Sequence, residues 1–332
     1  MSDPVPTPTA RPRASRRASR RARVGWFALR LLLVGAVLFF IGCYVADNVE
    51  ELRTYDLSPD LPLLAAALAA LLLAQLVFSA TYRLLMRREP SPPSLARAFA
   101  LLTLPAIAKY VPGKVAVLVG TVWAFEHSGY GRRRGLYLLL YAQVAIIVGG
   151  LLVAGLYSIT ADTDAASGDG AAGTVLRLAP LLALAGVPFL HPGLLRWGVE
   201  RVSGLLRLPP VDLQVPLSDA PGVLALSVAG MVLCGLGFAV LAIALGVPAE
   251  PRLLVALTGA YPLALCLGFL ALVAPAGLGI REGVLLLALG PLVGPEAAIV
   301  ATLAVRVLQL VADLVGAAAG LVIVRGGRKA SA

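Results

Sequence analysis

Charge is scarce in this sequence. Asp, Glu, Lys and Arg make up 14% of its 332 residues, where a soluble domain carries about 25%. That shortage excludes a large water-soluble catalytic domain, because too little polar surface remains to cover one. Cysteine and histidine are scarcer still. Cys43, Cys234 and Cys266 all lie in apolar runs, and His127 and His191 are far apart. No pair has metal-ligand or disulfide spacing, so neither a metal nor a cofactor is expected. There is no P-loop, nucleophile elbow or Gly-rich dinucleotide loop. The acidic pair Asp162 and Asp164 sits in a Gly/Ala/Ser loop and reads as solvated. An enzyme is therefore not expected. Strict apolar/polar alternation is also missing, which excludes a membrane barrel.

What is present is apolar. The hydrophobic fraction is 59%, in continuous runs of Leu, Ala and Val long enough for spanning helices of about 20 residues. The expected fold is an all-α polytopic membrane protein with about eight membrane segments. Residues 25–325 form one transmembrane domain between a basic tail, 1–24, and a short tail, 326–332.

The charges that remain are unevenly placed, and they orient the chain. Residues 1–23 carry seven Arg against one Asp. This Pro/Ser/Ala/Arg-rich tail reads as disordered and cytoplasmic, touching anionic lipid rather than nucleic acid. Trp26–Val45 reads as an uncleaved anchor. Leu61–Tyr82, Gly135–Ile159, Thr174–Leu190, Pro221–Val247 and Ala297–Val324 read as further spans, giving about six. The loop 191–220 suits a cytoplasmic interfacial linker. Segments assigned to the inside hold 21 Lys and Arg, and those assigned to the outside hold three. That bias puts both termini in the cytoplasm.

Two apolar stretches are interrupted at their midpoints. The first breaks at Lys109-Tyr-Val-Pro-Gly-Lys114, the second at Pro275–Arg281 within Ala274-Pro-Ala-Gly-Leu-Gly-Ile-Arg-Glu-Gly283. Each break combines Pro, which removes a backbone donor, with Gly, which permits unusual dihedrals. Each is flanked by a span on either side. The result is two units, about 61–159 and 221–324, each read as span, re-entrant broken pair, span. Their flanking charges give them opposite orientations, the arrangement of inverted-repeat transporters. The alternative is a pair of ordinary kinks between short spans.

Unwound backbone at membrane depth survives only against protein or a watery cavity. The helix N-termini at such breaks favour anions. Lys109, Tyr110, Pro112, Gly113 and Lys114 at the first break, and Gly277, Gly279, Arg281 and Glu282 at the second, are the candidate head-group site. Lys109 and Lys114 could instead snorkel to the interface. Arg306 lies deep in the last span, where an Arg needs a cavity or a partner. Asp313, two turns further along the same face, is one candidate partner or coupling residue, and Glu282 is another. Tyr141 and Gln143 are further candidates for the same cavity. Gly316-Ala-Ala-Ala-Gly320 reads as close helix packing.

These motifs resemble a known family. Lys109-Tyr-Val-Pro-Gly-Lys-Val115, followed by Gly120, resembles the first motif of the lysylphosphatidylglycerol synthase transmembrane region. Ala276-Gly-Leu-Gly-Ile-Arg-Glu-Gly283, with Arg306, resembles its second. The resemblance covers about residues 25–325. It implies a flippase-like protein of the bacterial cytoplasmic membrane without the soluble aminoacyltransferase domain, since the chain ends shortly after the last span. Family members often carry Arg where Thr121 stands and an acidic residue where Ala142 stands. Position 142 follows Gly113 by 29 residues, as 306 follows Gly277, so Ala142 is the repeat counterpart of Arg306.

The leading expectation is translocation of an anionic or modified phospholipid or glycolipid. A second is a non-transporting partner of a lipid-linked glycosyl or aminoacyl transfer system, such as a membrane glycosyltransferase. A third is a proton-coupled small-solute transporter. The expected partners are membrane lipid with an anionic head group and a glycosyltransferase or a second copy of the chain, with no nucleic acid.

Overall fold

The computed structural model describes residues 58–110, 115–160, 179, 181–205, 216–271 and 279–329. All regular structure among them is helical. The helices are α1 Leu61–Leu85, α2 Leu95–Ala106, α3 Val115–His127, α4 Arg132–Thr160, α5 Leu181–Leu190, α6 Pro192–Leu205, α7 Ala220–Ala244, α8 Pro251–Leu270, α9 Ile280–Val293 and α10 Pro295–Lys329. The basic tail, the run Trp26–Val45, Pro112–Lys114, Asp162–Asp164 and Gly277 lie outside the described residues.

Local chemistry sets the helix ends. Asp60 caps α1 by accepting the Leu63 N–H at 3.1 Å, and Ser94 caps α2 by accepting that of Arg97 at 3.3 Å. Pro105 lies in the last turn of α2, which tightens into a 3-10 turn, Ile107–Tyr110. At the second break, Gly279 takes φ +86 and starts α9 at Ile280. Arg281 and Glu282 therefore belong to the first turn of α9 and not to the break itself. Gly294, with φ +85, is the one-residue joint between α9 and α10.

Among the described residues, five helices are long and apolar enough to cross a membrane: α1, α4, α7 with its preceding turn, α8 and α10. The sequence led us to expect about six spans with two broken pairs. Four of the six expected spans are among these five; Trp26–Val45 lies outside the described residues, α5 covers ten described residues of Thr174–Leu190, and the fifth is α8, expected as half of a broken pair but, at 20 residues or about 30 Å, long enough to cross. Helices α2, α3 and α9 run 12, 13 and 14 residues. At 1.5 Å per residue, about 20 Å, none of them crosses a core of about 30 Å.

The packing has a paired character. Helix α1 lies along α7. Helix α4 packs on α8, and α10 packs on α2. Helix α3 lies on α4, as α9 lies on α10. Small residues allow the closest approaches. A Cβ on Gly235 of α7 would sit 2.1 Å from the Thr258 carbonyl oxygen of α8, and one on Gly230 would sit 2.4 Å from the Phe78 ring of α1. Gly316 and Gly320 lie against Thr103 of α2, the close packing read from their spacing.

Two apolar clusters hold the bundle. One gathers Leu71, Phe238, Leu257, Leu263, Leu285 and Leu289. The other gathers Tyr82, Phe125, Tyr137, Tyr141 and Ala142. Ion pairs tie the Arg-rich ends. Arg87, at the end of α1, donates to both oxygens of buried Asp219, at the start of α7, and Arg88 lies 3.8 Å from the same carboxylate. Arg134 of α4 meets Glu89 at 2.6 Å, and Arg132 meets Glu126 at 2.6 Å. In the linker, α6 exposes Leu194 and Trp197, with Arg201 over the Trp197 ring at 5.4 Å.

Candidate polar site at the helix breaks

One polar network crosses the apolar interior, and it joins both breaks. Lys109 comes from the 3-10 turn that ends α2. Its Nζ lies 2.6 Å from Asp313 Oδ2, on the last span. The other Asp313 oxygen, Oδ1, accepts from Gln75 Nε2 of α1 and from Gln309 Nε2 of α10, each at 3.3 Å. Gln309 Oε1 accepts from the Tyr261 hydroxyl of α8 at 3.2 Å. The Tyr261 oxygen in turn accepts from an Arg281 Nη at 2.9 Å. Arg281 Cζ stands 5.5 Å from the Tyr261 ring centre, and that ring stacks on Phe238. Beside Arg281, Glu282 binds Arg306 through Oε1. Its Oε2 accepts the Gly279 N–H at 2.6 Å. This is half of a capping box, since glycine has no side chain to return the bond.

Three of the network's five charges are buried, and Lys109 and Arg306 are half-buried. Glu282 is 3% exposed, Asp313 5% and Arg281 8%. Buried charges persist where they are paired and hydrogen-bonded, and four of the five are paired: Lys109 with Asp313, Arg306 with Glu282. Arg281 differs. Among the described residues it meets no carboxylate within ion-pair distance. It donates to a neutral phenol, that of Tyr261, and its Nε is buried without a hydrogen-bond acceptor among the described residues. Among the described residues, the cluster's three cations against two carboxylates leave one positive charge in excess. The start of α9 adds the positive end of a helix dipole at the same place.

The structure therefore brings together Lys109, Arg281, Glu282, Arg306 and Asp313, with Gly279 at the rim. Of the two partners open to Arg306, it takes Glu282, and Asp313 serves Lys109. Seven residues along a helix put about 10 Å between Arg306 and Asp313, whereas α9 brings Glu282 alongside. Tyr110 ends the 3-10 turn, while Pro112, Gly113, Lys114 and Gly277 lie outside the described residues. Tyr141 belongs elsewhere, because its hydroxyl donates to the Leu190 carbonyl at 2.8 Å within the second apolar cluster. Ala142 is fully buried in that cluster too. Thus the position on α4 that the sequence spacing matches to Arg306 is packed with hydrocarbon.

Three members of the network carry no charge and were missed from sequence: Gln75, Tyr261 and Gln309. Signals existed for two of them. Gln75 is the one polar side chain in Leu61–Phe78, and Gln309 lies three residues after Arg306 and four before Asp313 on one face. Among the described residues no group of three or more His, Cys, Asp or Glu gathers that could hold a metal.

Comparison with known proteins gives one family. The family model described as lysylphosphatidylglycerol synthase TM region matches residues 27–316. Comparison with curated proteins found no match.

Proposed function

The chain belongs to the lysylphosphatidylglycerol synthase TM region family, and from that membership we propose that it moves an anionic phospholipid or glycolipid across the bacterial cytoplasmic membrane. In this reading α1–α4 and α7–α10 are inverted repeats, with α2–α3 and α8–α9 as the broken pairs and both chain ends in the cytoplasm. The pairing of helices supports it. Exchanging the two halves turns the α4–α8 contact into α10–α2 and returns α1–α7 to itself. The opposite charge flanks of the two units supply the inversion.

The observation that carries the reading is Arg281. A guanidinium buried without a carboxylate draws in an anion, and a lipid phosphodiester supplies one negative charge, matching the single excess positive charge of the cluster. Head-group oxygens accept from Arg281 Nε, and Arg306 and Lys109 stand on either side. Rocking of one repeat on the other then exposes the site to each face in turn.

The test is translocation by the full-length chain in liposomes holding acyl-chain-fluorescent phosphatidylglycerol, with dithionite quenching from outside. The wild type is expected to carry quenching beyond the outer half. Arg281→Gln is expected to slow it by about tenfold or more, the scale of one lost charge contact. Quenching that halts at half, with inserted and folded protein, counts against transport.

A second reading has its own support in Ala142. An apolar counterpart to Arg306 makes the polar site one-sided, which suits a membrane partner that holds a lipid head group for a glycosyl or aminoacyl transfer enzyme. Lipid binding without translocation, together with co-purification of a membrane transferase, would favour it.

A further inference from the structure

Arg281 is held by a phenol and not by a carboxylate, and that choice of partner has a physical consequence. Tyr261 is fully buried on α8. Two helices hold it there. Gly235 of α7 lets that helix meet the backbone of α8 at Thr258. Three residues further along each helix, the Phe238 ring stacks on the Tyr261 ring, with centroids 5.1 Å apart and planes 17° from parallel. The Tyr261 hydroxyl accepts from an Arg281 Nη at 2.9 Å and donates to Gln309 Oε1 at 3.2 Å. Gln309 Nε2 then donates to Asp313 Oδ1 at 3.3 Å.

The two ends fix the direction of this chain. A guanidinium can only donate, and an ionised carboxylate can only accept. Between them the Tyr261 proton points to Gln309. The Gln309 amide presents its oxygen to Tyr261 and its nitrogen to Asp313. The hydroxyl oxygen is thereby left as an acceptor for Arg281.

We propose that Tyr261 is the positioning residue of the anion site: its hydroxyl, oriented by Gln309, holds one guanidinium nitrogen in place without cancelling the charge, and leaves Nε to the ligand. This rests on the lipid-binding reading above. A carboxylate in place of the phenol would hold Arg281 but neutralise it, as Glu282 neutralises Arg306. A plain aromatic ring would leave the charge but not its place, because the long arginine stem has many rotamers to lose. The phenol fixes the group and spares its charge. The ligand then meets a guanidinium ordered by folding and not by binding, which is the advantage of a preorganised site. Arg281 touches the phosphodiester in this reading, so any lipid that the site accepts reports on Tyr261.

The experiment is a double-mutant cycle between Tyr261 and Arg281 in the full-length chain. The readout is movement of acyl-chain-fluorescent phosphatidylglycerol, and separately of lysyl-phosphatidylglycerol, in liposomes over a range of lipid mole fractions. Tyr261→Phe keeps the ring and its stack on Phe238 and removes the hydroxyl. It is expected to raise the mole fraction at half-maximal rate about tenfold, the scale of one hydrogen bond to a charged group. In the Arg281→Gln background the same change is expected to have no further effect, since a positioning residue acts only through the group it positions. A merely structural role would shift both backgrounds alike. Gln309→Leu removes the acceptor that orients the hydroxyl. It is expected to shift half-saturation in the same direction and to lose its effect with Arg281→Gln, and it carries the test where Tyr261→Phe is not recovered folded. Wild-type half-saturation in Tyr261→Phe overturns the inference, as does a shift that persists with Arg281→Gln. In either case Arg281-dependent movement of lipid leaves the lipid reading standing. A wild type that moves neither lipid, or an Arg281→Gln variant that matches it, overturns both.

Discussion

Glu282 holds Arg306 with one carboxylate oxygen and the N–H of Gly279 with the other. The same side chain thus begins α9 and fastens it to the middle of α10. Neutralising it leaves Arg306 without its charge partner while a Gln side chain can still accept from Gly279. Removing one partner of a buried pair costs about 3–5 kcal/mol. Glu282→Gln is expected to lower the Tm of the detergent-purified protein strongly, and Glu282→Ala further, by the lost cap of about 1 kcal/mol. Arg306→Gln in the Glu282→Gln background should recover part of the loss. A double variant no more stable than Glu282→Gln would argue against the pair.

Gly235 packs its Cα face onto the Thr258 carbonyl. A methyl there cannot be absorbed by a rotamer change, since it meets backbone. Gly235→Ala is expected to force α7 and α8 apart at a cost of about 3 kcal/mol, the upper end for overpacking. Folded yield by fluorescence-detected size exclusion is the readout, and wild-type yield would contradict this geometry.

Gly316 presents a different problem, because its new Cβ would lie 2.2 Å from the Gln75 amide oxygen, the far end of a flexible side chain. Gly316→Ala is expected to displace that amide and cost the Gln75–Asp313 hydrogen bond, about 0.5–1.5 kcal/mol. In the Gln75→Ala background the same change should cost much less. A double-mutant cycle on thermal stability measures the coupling, and strict additivity would exclude it.

Asp219 is buried while Arg87 and Arg88 remain well exposed. Losing the carboxylate leaves two solvated cations, so the penalty is small, about 1 kcal/mol. Asp219→Asn is expected to loosen the Arg-rich end of the α1–α7 interface without unfolding the bundle. Faster amide hydrogen exchange confined to the end of α1 and the start of α7 is the expected signature. Exchange raised throughout, or nowhere, would refute a local clamp.

The charged members of the site were legible in the sequence because a charge in an apolar run has few innocent explanations. Lys109, Arg281, Glu282, Arg306 and Asp313 stood out on that ground alone. Their pairing was not legible. Sequence spacing offered Arg306 both Asp313 and Glu282, and only the approach of α9 to α10 decides between them. Gln75, Tyr261 and Gln309 escaped notice because an uncharged polar residue leaves little mark on hydropathy, although each is needed to complete a hydrogen-bond chain. The Pro/Gly breaks were legible as helix ends, and the described halves α2, α3 and α9 are short as expected, whereas α8, the fourth half, runs 20 residues and is long enough to cross. The arrangement of α4 was not, because nothing in the run around Tyr141 and Ala142 says that it packs against hydrocarbon and not against the polar network.

Gly294 and the Glu282–Arg306 pair together have a mechanical meaning. Glu282 stands twelve residues before Gly294 on α9, and Arg306 twelve after it on α10. The two arms are therefore equal, about 18 Å each, joined at the glycine apex and tied at their far ends by an ion pair. Three fixed sides make a triangulated brace, which cannot change its angle while the tie holds. Helices α9 and α10 must then swing as one piece, and any hinge that lets this protein change shape lies outside the triangle.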